Sequence, residues 1–226
     1  MKQEDTRKKI LAKALELFSQ RGYDAVSVGD IAAAVGVKAP SLYNHFSGKR
    51  AIFDAIVEAA AEQYEQDTAK ISIHVQDASR DFSVIEEITE DALFEKVRQI
   101  FAYSLHDETI CRLRKMLTLE QFRSPELAAL YSHRYVERLV AYHAAIFRGL
   151  IAAGCIQDGD PEALALLYVA PINALIGICD RQPDREEECL QKLRDHVHAF
   201  FRLVHLPCGA QSAKLPENSE KEGLTL

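Results

Sequence analysis

Residues 27–57, SVGDIAAAVGVKAPSLYNHFSGKRAIFDAIV, decide the fold of this chain. Ser27 followed three residues later by Asp30 is typical of a capping box that starts a helix, and apolar residues then recur at helical spacing as far as Val35. Gly36 comes next, where a helix must end and a residue that tolerates a positive φ is favoured. The pattern predicts a helix that stops near Val35, followed by a sharp turn.

A second, shorter helix of about two turns is predicted directly after this turn. Pro40 suits a first helical turn, where its missing N–H has no partner, and Leu42 and Phe46 are spaced to face the same side. Helix, glycine-containing turn and helix form the helix-turn-helix arrangement, whose second helix can enter the major groove of DNA. Its outer side then carries Ser41, Tyr43, Asn44 and His45.

Those four polar side chains can hydrogen-bond to base edges or to phosphate oxygens. Lys38 precedes the helix, and Lys49 and Arg50 follow it, so positive charge lies at both ends. The alternative interpretation is that a short polar helix between two glycines is only a solvated surface.

The charge distribution favours contact with nucleic acid, although the net charge of the whole chain is −7. We call residues 1–48 the head and the rest the body. Residues 1–50 hold nine Lys and Arg against five Asp and Glu. A basic head on an acidic body is expected when only the head meets phosphate.

These residues resemble the DNA-binding region of the TetR family of bacterial transcription regulators. The resemblance rests on Val35-Gly36-Val37, on Leu42-Tyr43-Asn44-His45-Phe46 and on Lys49-Arg50, and it covers about the first quarter of the chain. It implies phosphate contacts from Ser27, Tyr43, His45 and Lys49, and base reading by Ala39, Pro40, Ser41 and Asn44. Lys38 completes the predicted DNA-binding set, and Ala39 can offer a base only a methyl contact.

Composition and cysteine use bound the class of protein. The chain has 226 residues, of which 48% are hydrophobic and 27% charged, as in a soluble globular protein of one or two domains. Its five cysteines are odd in number and widely spaced, which argues against a disulfide framework or a zinc site. The polar amino terminus shows no apolar signal segment, so we expect a cytoplasmic protein.

We predict an all-α fold with a three-helix DNA-binding domain over residues 1–48. A helical bundle for ligand binding and dimerisation is expected over residues 49–206, followed by a disordered tail over residues 207–226. Residues 71–85 break the helical pattern and are interpreted as a loop. Helical periodicity and start signals predict helices over residues 4–21, 49–69, 85–106, 108–122 and 125–154, and from residues 161 and 184 onward.

The most apolar stretch, ALALLYVAPINALIGIC at residues 163–179, is interpreted as a buried interface helix that Pro171 kinks. It is shorter than the roughly 20 residues that span a membrane. The resemblance implies that this helix and the last one pair with a second subunit. Such a homodimer holds two recognition helices at the spacing of a palindromic operator. The alternative is that both helices bury against their own bundle.

A small-molecule pocket is predicted between the helices of the body. Such sites are largely apolar, with a few placed polar groups, although each residue could equally belong to a plain core. The predicted pocket residues are Phe101, Met116, Phe122, Tyr135, Tyr142, Phe147 and Asn173. The eight histidines show no metal-ligand spacing, and neither a Gly-rich phosphate loop nor a nucleophile elbow is present. We therefore expect no metal, no cofactor and no enzymatic activity.

The sequence thus predicts a DNA-binding transcriptional regulator, a repressor that a small molecule releases from a palindromic operator. One alternative is an activator, or a regulator controlled by a protein partner, with the same fold. Another is a helical protein that binds a small molecule or lipid and does not read DNA. Lys38, Lys49 and Arg50 count against that last alternative.

Overall fold

The computed structural model describes residues 2–205, with side chains from residue 4 onward. The tail predicted over residues 207–226 lies outside the described residues. Within residues 2–205 the chain forms helices and no strand, although an isolated antiparallel bridge pairs Ile156 with His205. The predicted all-α fold is confirmed.

Eleven α-helices follow one another in the described chain. They are α1 (Lys2–Arg21), α2 (Val28–Val35), α3 (Ala39–Tyr43), α4 (Lys49–Ala69), α5 (Phe82–Glu86), α6 (Glu90–His106), α7 (Glu108–Glu120), α8 (Pro125–Ser132), α9 (Arg138–Ala152), α10 (Pro161–Arg181) and α11 (Glu186–Val204). Short 3₁₀ turns lie at Ala78–Arg80 and Pro183–Arg185, and a π-helical segment, His133–Glu137, joins α8 to α9.

Local capping sets the boundaries of the helix-turn-helix. The Ser27 Oγ accepts a hydrogen bond from Asp30 N (3.1 Å), and the Asp30 carboxylate accepts one from Ser27 N (2.8 Å), which completes the predicted capping box. Gly36 ends α2 with φ +80°, in the left-handed region that glycine adopts without strain. Ser124 and Asp160 likewise cap α8 and α10, as their sequence context predicts.

Three segments differ from the sequence prediction. Helix α3 has five residues instead of about two turns, because the chain turns after it and returns Phe46 to the core. Residues 71–85, expected as a loop, contain a 3₁₀ turn and the start of α5. Helix α6 begins at Glu90 instead of near residue 85, because the Thr89 hydroxyl caps Ala92 N (3.3 Å).

The core of the head continues into the body. Helices α1 to α4 enclose a cluster built on Phe18, Leu42 and Phe53, and buried residues of α7, among them Leu113 and Leu117, belong to the same cluster. Besides being linked to the body through α4, the head is therefore packed on α7. Two further clusters fill the body, one between α9, α10 and α11, the other between α6, α10 and α11.

Helix α10 combines a buried side with an exposed apolar side. Leu166 and Leu167 are 52% and 59% exposed, and Leu203 on the neighbouring helix α11 is 65% exposed. By length and composition α10 is also long and apolar enough to cross a membrane, with 33% of its most apolar window buried in the protein. The core helix of a soluble protein can be equally long and apolar. Length and composition therefore do not show what covers the exposed side of α10.

Candidate functional site

The outer side of α3 presents most of the predicted DNA-binding residues. Leu42 and Phe46 are buried and fix the inner side against the head. The side chains left in solvent are Lys38, Pro40, Ser41, Tyr43 and Asn44, of which Tyr43 is 55% exposed although it is a large aromatic residue. Ala39 and His45 are half-buried at the edge of this surface. These seven residues therefore lie in or directly beside α3, five of them exposed and two half-buried.

Two of the predicted phosphate contacts are engaged within the protein. The Lys49 Nζ donates to Tyr23 O (3.0 Å) and lies 4.4 Å from the centre of the Tyr23 ring, so it holds the turn between α1 and α2. The Ser27 hydroxyl donates to the Asp30 carboxylate (2.5 Å), and this bond keeps the pKa of Asp30 below its usual value. A phosphate contact from the Ser27 hydroxyl would have to replace its bond to Asp30, whereas Lys49, which donates to Tyr23 O and Asp24 O, keeps a third N–H.

The positive charge of Arg50 is neutralised, in contrast to the sequence interpretation. Its guanidinium contacts the carboxylates of Asp54 (2.7 Å) and Glu126 (2.5 Å), and these bonds raise its pKa. Arg50 thereby joins α4 to α8. Within residues 4–205 no carboxylate forms an ion pair with Lys38, which is exposed directly before α3.

A partly open cavity of about 540 Å³ lies within the body, between α4, α6, α7, α9, α10 and α11. Tyr135, Tyr142, Phe147 and Asn173, all predicted pocket residues, line it. The Asn173 amide donates to Tyr135 O (2.7 Å) and connects α10 to the π-helical segment. The helical stripe of α9 thus faces the cavity as well as the core.

The other three predicted pocket residues lie elsewhere. Phe101 is buried in the cluster between α6, α10 and α11, and Met116 is buried in the cluster shared by the head and α7. Phe122 lies in the turn after α7 and is 89% exposed, because α7 ends at Glu120 before the chain can return to the bundle.

Helical spacing did not single out several polar residues of the cavity wall. His143 donates its Nδ1–H to Leu139 O (2.8 Å), and burial lowers its pKa to about 4. Its ring is in contact with the rings of Tyr142 and Tyr168, with 5.0 Å between centroids in both pairs. Burial also raises the pKa of Tyr135 to about 12, and its hydroxyl has no hydrogen-bond partner within residues 4–205.

Two arginines at the cavity wall are paired with carboxylates. Arg114 makes a bidentate contact with Asp180 (2.6 and 2.8 Å) and donates to Ser104 O (2.7 Å). Arg138 lies 3.1 Å from Glu65, without an aligned hydrogen bond at the Arg138 Nε. Each pair connects two different helices, and a sequence offers no local signal for partners more than 60 residues apart.

Residues 71–88 cover one side of the cavity, and we call this segment the lid. Asp81 is fully buried and accepts hydrogen bonds from the Tyr142 hydroxyl (2.6 Å) and from His74 N (2.6 Å). Phe82 packs against Gly149 so closely that a Cβ added there would lie 2.6 Å from its ring. One buried carboxylate and one aromatic contact thus fasten the lid to α9.

Within residues 4–205, no group of three or more His, Cys, Asp or Glu side chains is arranged to hold a metal ion. The features that the described chain does present are a polar helix held on a capped helix-turn-helix and a cavity behind it. Together they define a helix-turn-helix protein with a helical, cavity-containing body.

Comparison with known proteins shows which family the helix-turn-helix region resembles. The sequence model of the family described as "Bacterial regulatory proteins, tetR family" matches residues 10–56. The HTH-type transcriptional repressor ComR of Escherichia coli (strain K12) is 41% identical over 54 residues, which are 24% of this chain and 26% of ComR. The chain is aligned over only about a quarter of the length of the curated relatives it matches.

Solved structures extend the likeness to most of the chain. A TetR transcriptional regulator from Chloroflexus aurantiacus superposes with a TM-score of 0.69, at 21% identity, over 91% of this chain and 99% of that one. SmeT of Stenotrophomonas maltophilia, in complex with triclosan, gives a TM-score of 0.64 at 21% identity, over 94% of this chain and 100% of SmeT. Residues 10–56 are thus similar in sequence to the TetR family, and the fold of the described chain is that of TetR-family regulators.

Proposed function

We propose that this protein is a transcriptional repressor that binds operator DNA through α3 and releases it when a small molecule occupies the cavity of the body. It acts as a homodimer in the cytoplasm and is not an enzyme. The DNA-binding domain spans residues 1–48 and the ligand-binding and dimerisation domain residues 49–206. The matching relative ComR is named as a transcriptional repressor, and SmeT is named as the repressor of a multidrug efflux pump.

The observation that carries this proposal is the position of α7. Its residues Arg114 and Thr118 line the cavity, whereas Leu113 and Leu117 lie in the core of the head. One turn further, the buried Glu120 accepts a hydrogen bond from Tyr23 N (3.2 Å). A ligand that displaces α7 therefore acts directly on the helix that carries the head.

Dimerisation is supported by the exposed apolar side of α10 and α11. Three leucines there are more than half exposed in the single chain, which is the composition of an interface between subunits. Burial of this face would hold two α3 helices at a fixed separation and match them to a palindromic site.

The test is DNA binding by the purified full chain, measured by fluorescence anisotropy across a salt series with DNA from upstream of its own gene. We expect the logarithm of the affinity to fall linearly with the logarithm of the salt concentration. Tyr43→Ala should weaken binding, because Tyr43 is exposed on the DNA-facing side of α3 and supports no core contact. Phe122→Ala, which removes an equally exposed aromatic ring outside this surface, is the matched control. Binding that neither variant changes would contradict the assignment of α3.

A further inference from the structure

The chemistry of the cavity wall restricts which small molecules it can accept, and this inference rests on the proposed function only in treating the cavity as a ligand site. The wall is mostly aliphatic and aromatic, with Tyr168, Phe147 and Phe200 packed edge to face or tilted at centroid distances of 4.9–6.0 Å. Such a surface favours a ligand with an aromatic or otherwise apolar body.

Positive charge on the ligand is disfavoured by the charges of the wall. Asp180 is the one carboxylate among the described residues that line the cavity, and it is paired with Arg114. Arg138 lies beside Glu65, Arg134 donates to Ala60 O (3.1 Å), and the Lys96 ammonium donates to Ile71 O. Lys115 lies 4.0 Å from Asp180, and Arg181 is exposed. A cationic ligand would therefore lose its hydration without finding an unpaired counter-charge at the wall.

His143 adds a specific polar requirement. A carbonyl oxygen can only accept, so the contact with Leu139 O assigns the proton of the imidazole to Nδ1. The enclosed ring is neutral near pH 7, because its pKa is held at about 4. Nε2 is then an acceptor with a free lone pair, and within the described chain it has no hydrogen-bond partner. A ligand group that donates a hydrogen bond satisfies it.

Two further polar groups are buried behind the wall. The Tyr135 hydroxyl and the Arg138 Nε have no hydrogen-bond partner within the described chain, but both atoms are buried out of contact with the cavity space. The acceptor on His143 is therefore the polar requirement that a ligand meets, and a ligand hydroxyl supplies the donor.

We propose that the cavity binds a hydroxylated aromatic molecule without positive charge, whose hydroxyl donates a hydrogen bond to the His143 Nε2. The apolar body of the ligand lies among the tyrosine and phenylalanine rings of α9, α10 and α11. His143 is the residue that selects a hydrogen-bond donor over an isosteric group without one.

Three probes that share a biphenyl body separate these requirements. They are 4-phenylphenol, 4-methoxybiphenyl and 4-(aminomethyl)biphenyl in its ammonium form, titrated calorimetrically against the full chain without DNA. The phenol should bind, the ether should bind about tenfold more weakly because it leaves the Nε2 unpaired, and the ammonium probe at least about 100-fold more weakly because the wall offers it no unpaired carboxylate. Equal affinity of the ether or the ammonium probe, or no binding of the phenol at millimolar concentration, would overturn the proposal.

His143→Phe tests the role of the residue itself, because phenylalanine keeps a ring in the aromatic stack and removes the acceptor. The preference for phenol over ether should disappear in this variant and persist in His106→Phe, which changes an exposed histidine outside the cavity. A preference that survives in His143→Phe would contradict the assignment. Phenol binding that shows the expected preference but leaves DNA affinity unchanged would sustain this inference and contradict the proposed release of DNA.

Discussion

Gly22 lies where the head contacts α7 of the body. Its φ is +86°, and a Cβ built on it would stand 2.4 Å from the Glu120 Oε1. The same carboxylate accepts the hydrogen bond from Tyr23 N and is buried. The residue is therefore required both for the conformation of the turn after α1 and for the contact with α7.

We expect Gly22→Ala to lower the free energy of unfolding by about 1–3 kcal/mol, because it combines left-handed strain with a steric conflict at Glu120. Gly29→Ala is the control. That residue is within α2, and its added Cβ would meet only the Ser27 Oγ at 3.5 Å, an ordinary contact. Urea denaturation measures both, and an unchanged midpoint in Gly22→Ala would contradict the close approach.

His143 gives the stability a pH dependence of known sign. Its pKa is lowered from 6.5 to about 4 in the folded chain, so the unfolded chain takes up a proton first as the pH falls. The stabilisation is fully present above pH 6.5 and is lost as the pH falls towards 4, by at most about 3 kcal/mol.

Urea denaturation at several pH values between about 7 and 5 tests this. The wild-type protein should lose stability over that range more steeply than His143→Phe, whose phenylalanine does not titrate. Parallel profiles for the two proteins would show that the histidine is not buried in its neutral form.

At the scale of elements, the lid depends on Asp81. The Tyr142 hydroxyl and His74 N both donate hydrogen bonds to its charged carboxylate. Replacing Asp81 with Asn removes that charge and weakens both bonds, so the lid should loosen from α9. We expect Asp81→Asn to speed amide hydrogen exchange over residues 71–88 and to cost about 1–3 kcal/mol of stability. Asp77→Asn changes the exposed cap of the nearby 3₁₀ turn and should leave the exchange rates and the stability close to wild type. Identical exchange in the two variants would contradict the role of Asp81 in holding the lid.

The same elements show what a sequence can and cannot predict. The helix-turn-helix was predictable because Ser27, Asp30 and Gly36 act on neighbours within a few residues. The lid was not, since its order depends on a contact between Asp81 and Tyr142, 61 residues apart. Its alternating apolar residues resemble a strand or loop until Val75 is seen to be buried against the body.

The sequence predicted that a cavity lies between the helices of the body, but only some of the residues that line it. Helical spacing indicates which residues face inward, but Phe101 and Tyr135 satisfy it equally, and one lies in solid core while the other borders the cavity. The distinction depends on how far apart the helices stand. The sequence did not predict His143 as a cavity residue. Its role depends on a hydrogen bond to Leu139 O and on its position at the cavity wall, and the spacing of residues along a helix shows neither.

At the scale of the whole molecule, we expect the apolar side of α10 and α11 to join two chains. Leu167→Glu places a charge at the centre of this face and should shift the protein from dimer to monomer in sedimentation velocity experiments. Phe122→Glu introduces the same charge at an exposed apolar residue near the end of α7 and should leave the dimer intact. A Leu167→Glu protein that still sediments as a dimer would place the interface elsewhere.

Coupling between the cavity and α3 is most directly tested by measuring DNA affinity twice, with the cavity empty and with it saturated by a small molecule whose binding to the body has been established by calorimetry. We expect the saturated protein to bind its operator about 5- to 150-fold more weakly, which corresponds to a coupling free energy of about 1–3 kcal/mol carried by α4 and α7. An operator affinity that stays the same at saturation would contradict the proposal that this protein is a ligand-released repressor.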